Sequence, residues 1–262
     1  MLKQRVITGI FGLIVLLSSL FLLPQEIFRF ILALVFILSG WELVRLINPV
    51  TVSSRIIFML IFVVLLLFIQ FYELNLVQIQ TIFASSISWW VICLFCLFAY
   101  PVNFGQIFGW LFGLISLSSS YIAMEWLFIQ SANYFLIFLV FIWVMDIAAF
   151  FVGKKFGKVK LAKSISPNKT WEGLFGGLVS ITMLSVLFCI VYDFDKTTII
   201  PFVLALGLLS VVGDLTISMF KRNAGLKDSG RLFPGHGGLL DRIDSIISSI
   251  PLYAFACSIH LF

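Results

Sequence analysis

Hydrophobic positions in this chain form long blocks that short polar segments separate. Runs of about twenty residues with one charge or none recur along the sequence, and a helix of roughly that length crosses a bilayer core. Because lipid offers the backbone no hydrogen-bond partners, such runs form helices rather than open strands. The pattern predicts nine membrane-spanning helices, at residues 6–23, 28–47, 56–72, 81–100, 107–126, 134–153, 173–192, 199–219 and 239–260.

Composition supports this assignment. The chain is 61% hydrophobic and 11% charged, with a mean hydropathy of +1.15, which leaves too little polar surface for a water-soluble domain. We expect an all-α, polytopic integral membrane protein. We divide it into residues 1–130, with about five spans, and residues 131–262, a catalytic region with polar loops at 154–172 and 220–238. The first hydrophobic run lacks a following cleavage motif, so we interpret it as a retained span.

Lysines and arginines indicate the orientation, because they concentrate on the cytosolic side. Lys3 and Arg5 place the N-terminus in the cytosol, and with nine spans the loops 154–172 and 220–238 face the cytosol too. Only two of the seventeen basic residues then lie outside. The net charge of +5 reflects this asymmetry and contact with anionic lipid, not nucleic acid binding. The short N-terminal segment looks bacterial, which predicts the inner membrane.

Four aspartates occupy positions that are costly in a membrane. Asp146 and Asp214 lie eight and seven residues before the next lysine of a cytosolic loop, or roughly 10–12 Å along a helix. Asp241 and Asp244 open the last span from the same side, and their spacing of three puts both on one helix face. We therefore expect four carboxylates from three helices at one depth, just below the cytosolic surface.

Two interpretations fit this acidic group. Like charges at low dielectric repel unless a cation lies among them, and Mg²⁺ prefers oxygen ligands that it shares with phosphates. Alternatively, each acid pairs with a basic side chain such as Lys221 or Arg242. The sequence favours a metal for Asp214 and the two acids of the last span, and leaves both interpretations open for Asp146.

Three glutamates in the N-terminal half look different. Glu42 has Arg45 three positions later, on the same predicted helix, while Glu73 and Glu125 lie near predicted span ends. We interpret these glutamates as interfacial charges or structural ion pairs.

The stretch 227–244 combines charge with glycine. Its glycines Gly235, Gly237 and Gly238 let the backbone turn and bring amides close to an anion, just before a helix start. His236 lies among them, and either a structural or a substrate-binding role fits it. The basic residues in reach of a phosphate here are Lys221, Arg222, Lys227 and Arg231.

The loop before the seventh predicted span carries six lysines. We expect the first four, at positions 154, 155, 158 and 160, to contact anionic lipid. The segment "SPNKTWEG" is distinct, because Asn168 or Thr170 can cap the following helix. Lys169 could then reach a phosphate bound at that helix start, although capping alone also explains the segment.

Two segments resemble a known family. Residues 218–244, "SMFKRNAGLKDSGRLFPGHGGLLDRID", resemble the signature of the phosphatidate cytidylyltransferases (CDP-diacylglycerol synthases), and "SPNKTWEG" is similar to that family's Ser-Pro-x-Lys-Thr-x-Glu-Gly loop. The resemblance extends over roughly residues 140–250. It implies that CTP and phosphatidic acid react to CDP-diacylglycerol and pyrophosphate, in a Mg²⁺-dependent homodimer whose metal site pairs Mg²⁺ with a monovalent cation such as K⁺.

The resemblance also implies residue roles. Catalysis is expected from Asp214, Lys221, Lys227, Asp241 and Asp244. The implied metal ligands are Asp214, Asp241 and Asp244, with Asp146 in support. The implied substrate-binding residues are Ser166, Lys169, Arg222, Asp228, Arg231, His236, Gly237, Gly238 and Arg242.

Two other functions remain as alternatives. A CTP-dependent polyprenol kinase would share the membrane and the nucleotide but would release CDP. A secondary transporter could use intramembrane acids as an ion path, yet it has no need for this dense cytosolic loop, and the chain shows no repeated halves.

Overall fold

A computed structural model describes residues 12, 14–47, 51–102, 105–230, 232 and 237–261 of the 262-residue chain. Residues 14–22 are helical. The elements that follow are α1 (Gln25–Val44), α2 (Val52–Phe71), α3 (Leu76–Phe98), α4 (Gln106–Gln130), α5 (Ala132–Phe156), β1 (Lys160–Ala162), β2 (Ser166–Thr170), α6 (Trp171–Tyr192), α7 (Lys196–Asn223) and α8 (Leu240–Ser258).

The membrane prediction is confirmed in part. Within the described residues, seven helices, α1–α7, are long and apolar enough to cross a membrane, and they match the second to eighth predicted spans to within a few residues. Of the first predicted span, 6–23, the structure describes residue 12 and residues 14–23, and 14–22 are helical. The ninth is a helix, α8, but three of its first five residues are charged. It does not qualify as an apolar span, so the count of nine is not confirmed.

One element was not predicted. The loop 154–172 contains a short antiparallel hairpin, in which Lys160 pairs with Thr170 and Ala162 with Ser166. The protein is therefore nearly all-α rather than all-α. Thr170 ends β2 and caps α6, since its Oγ1 accepts a hydrogen bond from Gly173 N at 3.1 Å. The predicted helix cap is confirmed, and it fixes the hairpin directly onto the start of α6.

Helix α8 lies inside the bundle. Most of its residues are buried, and it packs against α7, α3 and α4. Two of these contacts are hydrogen bonds between helices. Ser120 Oγ of α4 donates to Ile247 O at 2.6 Å, and Ser248 Oγ of α8 donates to Leu209 O of α7 at 2.7 Å. Small hydroxyl side chains allow such close helix contacts in membranes.

The N-terminal half is joined by an ion pair between helices. Arg29 of α1 pairs with Glu125 of α4, and the arginine also donates to Gln70 O of α2 at 3.4 Å. Beside this pair, the rings of Phe28 and Phe128 stack. The expectation of a structural ion pair is thus confirmed for Glu125.

Candidate active site

A cleft of about 760 Å³ opens where α5, the hairpin, α6, α7 and α8 meet. Half of its twenty lining residues are charged, in a chain that is only 11% charged. The acids are Asp146, Asp214, Asp228, Asp241 and Asp244, and the bases are Lys154, Lys160, Lys169, Lys221 and Arg242. The predicted grouping of acids from three helices is therefore found, and an equal number of bases surrounds it.

A glycine on α7 sets the distance between the two acid-bearing helices. A Cβ atom on Gly213 would lie 2.7 Å from Ser248 Cβ and would also collide with the carbonyl oxygen of Asp244. Only hydrogen fits at that position, so α7 and α8 touch one residue before Asp214. This contact brings Asp214 and Asp244 to the same wall of the cleft.

Lys169 closes the cleft from the hairpin. Its Nζ lies 2.6 Å from Asp214 Oδ2, while Ser218 Oγ donates to Asp214 Oδ1 at 3.2 Å. The segment "SPNKTWEG" is thereby joined to α7 through a charge pair. Lys169 thus lies beside the α6 start and lines the cleft, and its contact with a phosphate stays a prediction.

Asp241 connects the two ends of the signature loop, residues 230–237. Its Oδ1 accepts a hydrogen bond from Lys221 Nζ at 2.7 Å, and its Oδ2 accepts from Ser229 N at 2.9 Å and Gly238 N at 3.0 Å. Gly237 adopts a φ of 83°, a conformation that favours glycine. Asp241 thus holds one lysine of the cleft and both ends of the loop 230–237.

Asp146 and Asp244 accept fewer hydrogen bonds than Asp241. Asp146 Oδ2 accepts from Ser245 Oγ at 3.1 Å, which links α5 to α8. Asp244 is 8% exposed and accepts from Ser245 N at 2.9 Å. Ser245 therefore contacts both carboxylates, one through its hydroxyl and one through its amide.

Carboxylate oxygens are suitable Mg²⁺ ligands, and five aspartates line the cleft. In this structure, however, Asp214 and Asp241 are paired with lysines. Among the residues that the structure describes, no group of three or more acid, histidine or cysteine side chains is close enough to hold an ion. The carboxylates are chemically suitable ligands for a divalent cation. At Asp214 and Asp241, however, the structure shows the predicted alternative, in which each acid pairs with a basic side chain.

Several residues implied by the family resemblance lie elsewhere. Lys227 is exposed and does not line the cleft. Arg222 donates from Nε to Ile165 O and from Nη1 to Leu226 O, both at 3.0 Å. It therefore ties the hairpin turn to the end of α7. Ser166 is in β2, away from the lining. Arg231 and His236 lie outside the described residues.

Sequence reasoning missed two kinds of site residue. Lys154 and Lys160, which we expected at the lipid surface, line the cleft. Glu42 is only 6% exposed and accepts hydrogen bonds from the signature loop. The described residues contain no ion pair between Glu42 and Arg45, so the expected pair is wrong. The sequence around Glu42 suggests only the nearby Arg45 as a partner and does not indicate residues far along the chain.

Comparison with known proteins places the chain in a family. The cytidylyltransferase family profile matches residues 3–260. The phosphatidate cytidylyltransferase of Haemophilus influenzae is 34% identical over 97% of this chain and 98% of its own length. Those of Pseudomonas aeruginosa and Staphylococcus aureus are 35% and 33% identical, and each alignment covers at least 96% of both chains. The chain belongs to the cytidylyltransferase family.

Proposed function

We propose that this chain transfers the cytidylyl group of CTP to phosphatidic acid and so forms CDP-diacylglycerol and pyrophosphate. The proposal rests on the cleft, where two ion pairs connect the hairpin, α7 and α8. Lys169 and Asp214 connect the hairpin to α7, and Lys221 and Asp241 connect α7 to α8. The names and full-length similarity of the relatives supply the reaction.

Both substrates are anions, and the cleft supplies cations for them. Lys154, Lys160 and Arg242 line it, in addition to the two lysines of the ion pairs. Lysine and arginine bind phosphate oxygens through charge-assisted hydrogen bonds. We assign these three side chains, together with Lys169, to the phosphates of CTP and of the lipid.

In the reaction, a phosphate oxygen of phosphatidic acid attacks the α-phosphorus of CTP. The bond from that phosphorus to the bridging oxygen of the β-phosphate breaks, and pyrophosphate leaves with the electron pair. Such a transfer needs alignment and charge neutralisation rather than a covalent intermediate on the protein. Lys221 is suited to this because Asp241 fixes its Nζ before substrate binds.

We propose that Mg²⁺ is the cofactor, with a monovalent cation such as K⁺ beside it. Asp146, Asp214 and Asp244 are the candidate ligands. Asp241, the fourth residue assigned to the metal, is a weaker candidate because its two oxygens already accept three hydrogen bonds. Bound Mg²⁺ would neutralise phosphate charge. Asp214 can take part when Lys169 moves from the carboxylate to a phosphate.

We further propose that the cleft opens to the cytosol at the bacterial inner membrane. Residues 131–262 form the catalytic region in this proposal, and two copies of the chain form a homodimer. The basic loops beside the cleft and the bacterial relatives support the location. Membrane-impermeant labelling of a cysteine introduced at exposed Lys227, in sealed vesicles of known orientation, tests the side. The mass of the protein in small-micelle detergent tests the dimer.

Product analysis tests the reaction itself. We expect purified protein with phosphatidic acid, labelled CTP and Mg²⁺ to release pyrophosphate and form CDP-diacylglycerol, and to stop doing so in excess EDTA. Activity should return when Mg²⁺ is added back. Asp241→Asn should be inactive, while Glu73→Gln, which changes an exposed glutamate outside the cleft, should match the wild type.

Two outcomes would contradict the proposal. Labelled CDP with a phosphorylated lipid alcohol would indicate a kinase. A folded protein that consumes no CTP with any lipid tested would leave structural or transport roles for the acids.

A further inference from the structure

Glu42 is a buried carboxylate that the reaction above does not use. It lies near the end of α1, is 6% exposed and does not line the cleft. A buried carboxylate is costly unless strong donors satisfy it. Its donors therefore show what the residue does.

Among the described residues, three groups donate to Glu42, and all of them belong to the signature segment, residues 218–244. Oε2 accepts from Ser229 Oγ at 2.8 Å and from Leu240 N at 2.9 Å, and Oε1 accepts from Leu239 N at 3.1 Å. Leu239 is the N-cap residue of α8 and provides no side-chain cap of its own. Glu42 supplies that cap from another helix, where the unpaired N–H groups and the helix dipole favour a negative charge.

The chain wraps tightly around this carboxylate. A Cβ atom at either Gly230 or Gly238 would lie 2.6 Å from Glu42 Cδ. Glycine at both positions lets the segment before the loop and the segment after it approach the same side chain. The two segments are thus clamped from both sides of residues 231–237.

Glu42 and Asp241 act on the same two segments. Asp241 binds the amides of Ser229 and Gly238, and Glu42 binds the hydroxyl of Ser229 and the two amides after Gly238. Asp241 in turn fixes Lys221 in the cleft. A displacement of Ser229 or of the α8 start would therefore move the group that holds Lys221.

We propose that Glu42 is a positioning residue for the cytidylyl transfer: it anchors the base of the signature loop and the start of α8, and so keeps the nucleotide-binding arrangement populated. This inference rests on the proposed function. Without the anchor, only a fraction of molecules would hold the arrangement that binds CTP. The apparent affinity falls by that fraction, whereas molecules saturated with CTP react at the normal rate.

The test compares Glu42→Gln with Ser39→Ala in the full-length protein. Ser39 is buried on the same helix, and its hydroxyl donates to Val35 O of that helix. We expect Glu42→Gln to raise KM for CTP roughly tenfold or more, with kcat within about twofold of the wild type. Ser229→Ala, which removes one donor to Glu42, should shift KM in the same direction by less. Ser39→Ala should leave both constants unchanged.

Hydrogen exchange read by mass spectrometry provides a readout independent of activity. In Glu42→Gln, amide exchange should accelerate in peptides that contain Leu239 and Leu240, and it should stay unchanged in α2 and α5. Unchanged KM and unchanged exchange would overturn the proposal. So would faster exchange throughout the chain with activity lost in proportion to folded protein, because that result would mean a general structural role. A wild-type protein that makes no CDP-diacylglycerol would refute the proposed reaction, and the exchange comparison would still decide whether Glu42 anchors the loop.

Discussion

Helices α2 and α8 show opposite relations between polarity and burial. Helix α2 has the highest mean hydropathy of the seven apolar helices, 2.8, yet only 17% of its most apolar stretch is buried inside the protein. Its buried residues are Phe58, Phe62 and Leu66. Helix α8 begins with charged residues and contains serines along its length, yet most of it is buried.

The difference follows from the solvent. Lipid tails are as apolar as leucine, so an apolar side chain gains little by moving from lipid into the bundle. Polar side chains gain where they find a partner on another helix, as Ser248 of α8 does when it donates to Leu209 O of α7. In this protein, strong hydropathy marks lipid contact, and polarity marks the interior and the site.

The contrast between α2 and α8 is tested first by the substitution with the largest expected effect, which lies in α8. Asp244→Asn should lower turnover by more than about hundredfold, since it removes a charge where phosphate charge must be stabilised. The same change should leave the melting temperature unchanged or higher, because burial and, after it, the nearby Asp214 charge both disfavour the ionised Asp244 carboxylate. Steady-state turnover and thermal unfolding in detergent measure the two effects.

Glu26→Gln, at an exposed glutamate in the first turn of α1, serves as the control and should change neither quantity. If Asp244→Asn unfolded the protein and lost activity only for that reason, α8 would be a structural helix and not part of the site.

A smaller effect is expected at the hairpin. Lys169→Met should reduce kcat/KM for CTP roughly tenfold to hundredfold, because it removes a phosphate-binding charge and leaves Asp214 without its lysine. The matched control is Lys163→Met, an exposed lysine in the turn of the same hairpin that does not line the cleft. Equal kinetics for the two variants would remove Lys169 from the site.

The smallest effect concerns packing alone. Gly213→Ala should destabilise the protein by about 1–3 kcal/mol, because the added methyl group collides with α8. Leu60→Val in α2, at a residue that is 61% exposed, should change stability by less than about 0.5 kcal/mol. Unfolding in mixed micelles compares the two. A larger loss for Leu60→Val than for Gly213→Ala would reverse the contrast between the two helices.

Much of this architecture could be predicted from local patterns. Hydropathy located α1–α7, since each must span lipid by itself. Depth along the helices grouped Asp146, Asp214 and the two acids of α8, because acids equally far from one membrane surface can meet when their helices pack together. The cap at Thr170 followed from its position just before an apolar run.

The rest depends on contacts between segments far apart in sequence. Glu42 and Ser229 are 187 positions apart, and nothing in the sequence around Glu42 favours that partner over Arg45. The pair between Lys169 and Asp214 requires the hairpin to fold over the end of α7. The strands themselves are three and five residues long, too short to produce a periodic pattern.

The bond from Arg222 to Ile165 O has a mechanical consequence. With Lys169 held at Asp214, it fastens the hairpin to α7 at two points. A hairpin fixed at two points cannot pivot about its connection to α6 while both hold. If Lys169 left Asp214 for a phosphate, as proposed above, the bond from Arg222 would still hold the hairpin turn to the end of α7. The proposed exchange of partners at Lys169 therefore does not require the hairpin to detach from the bundle.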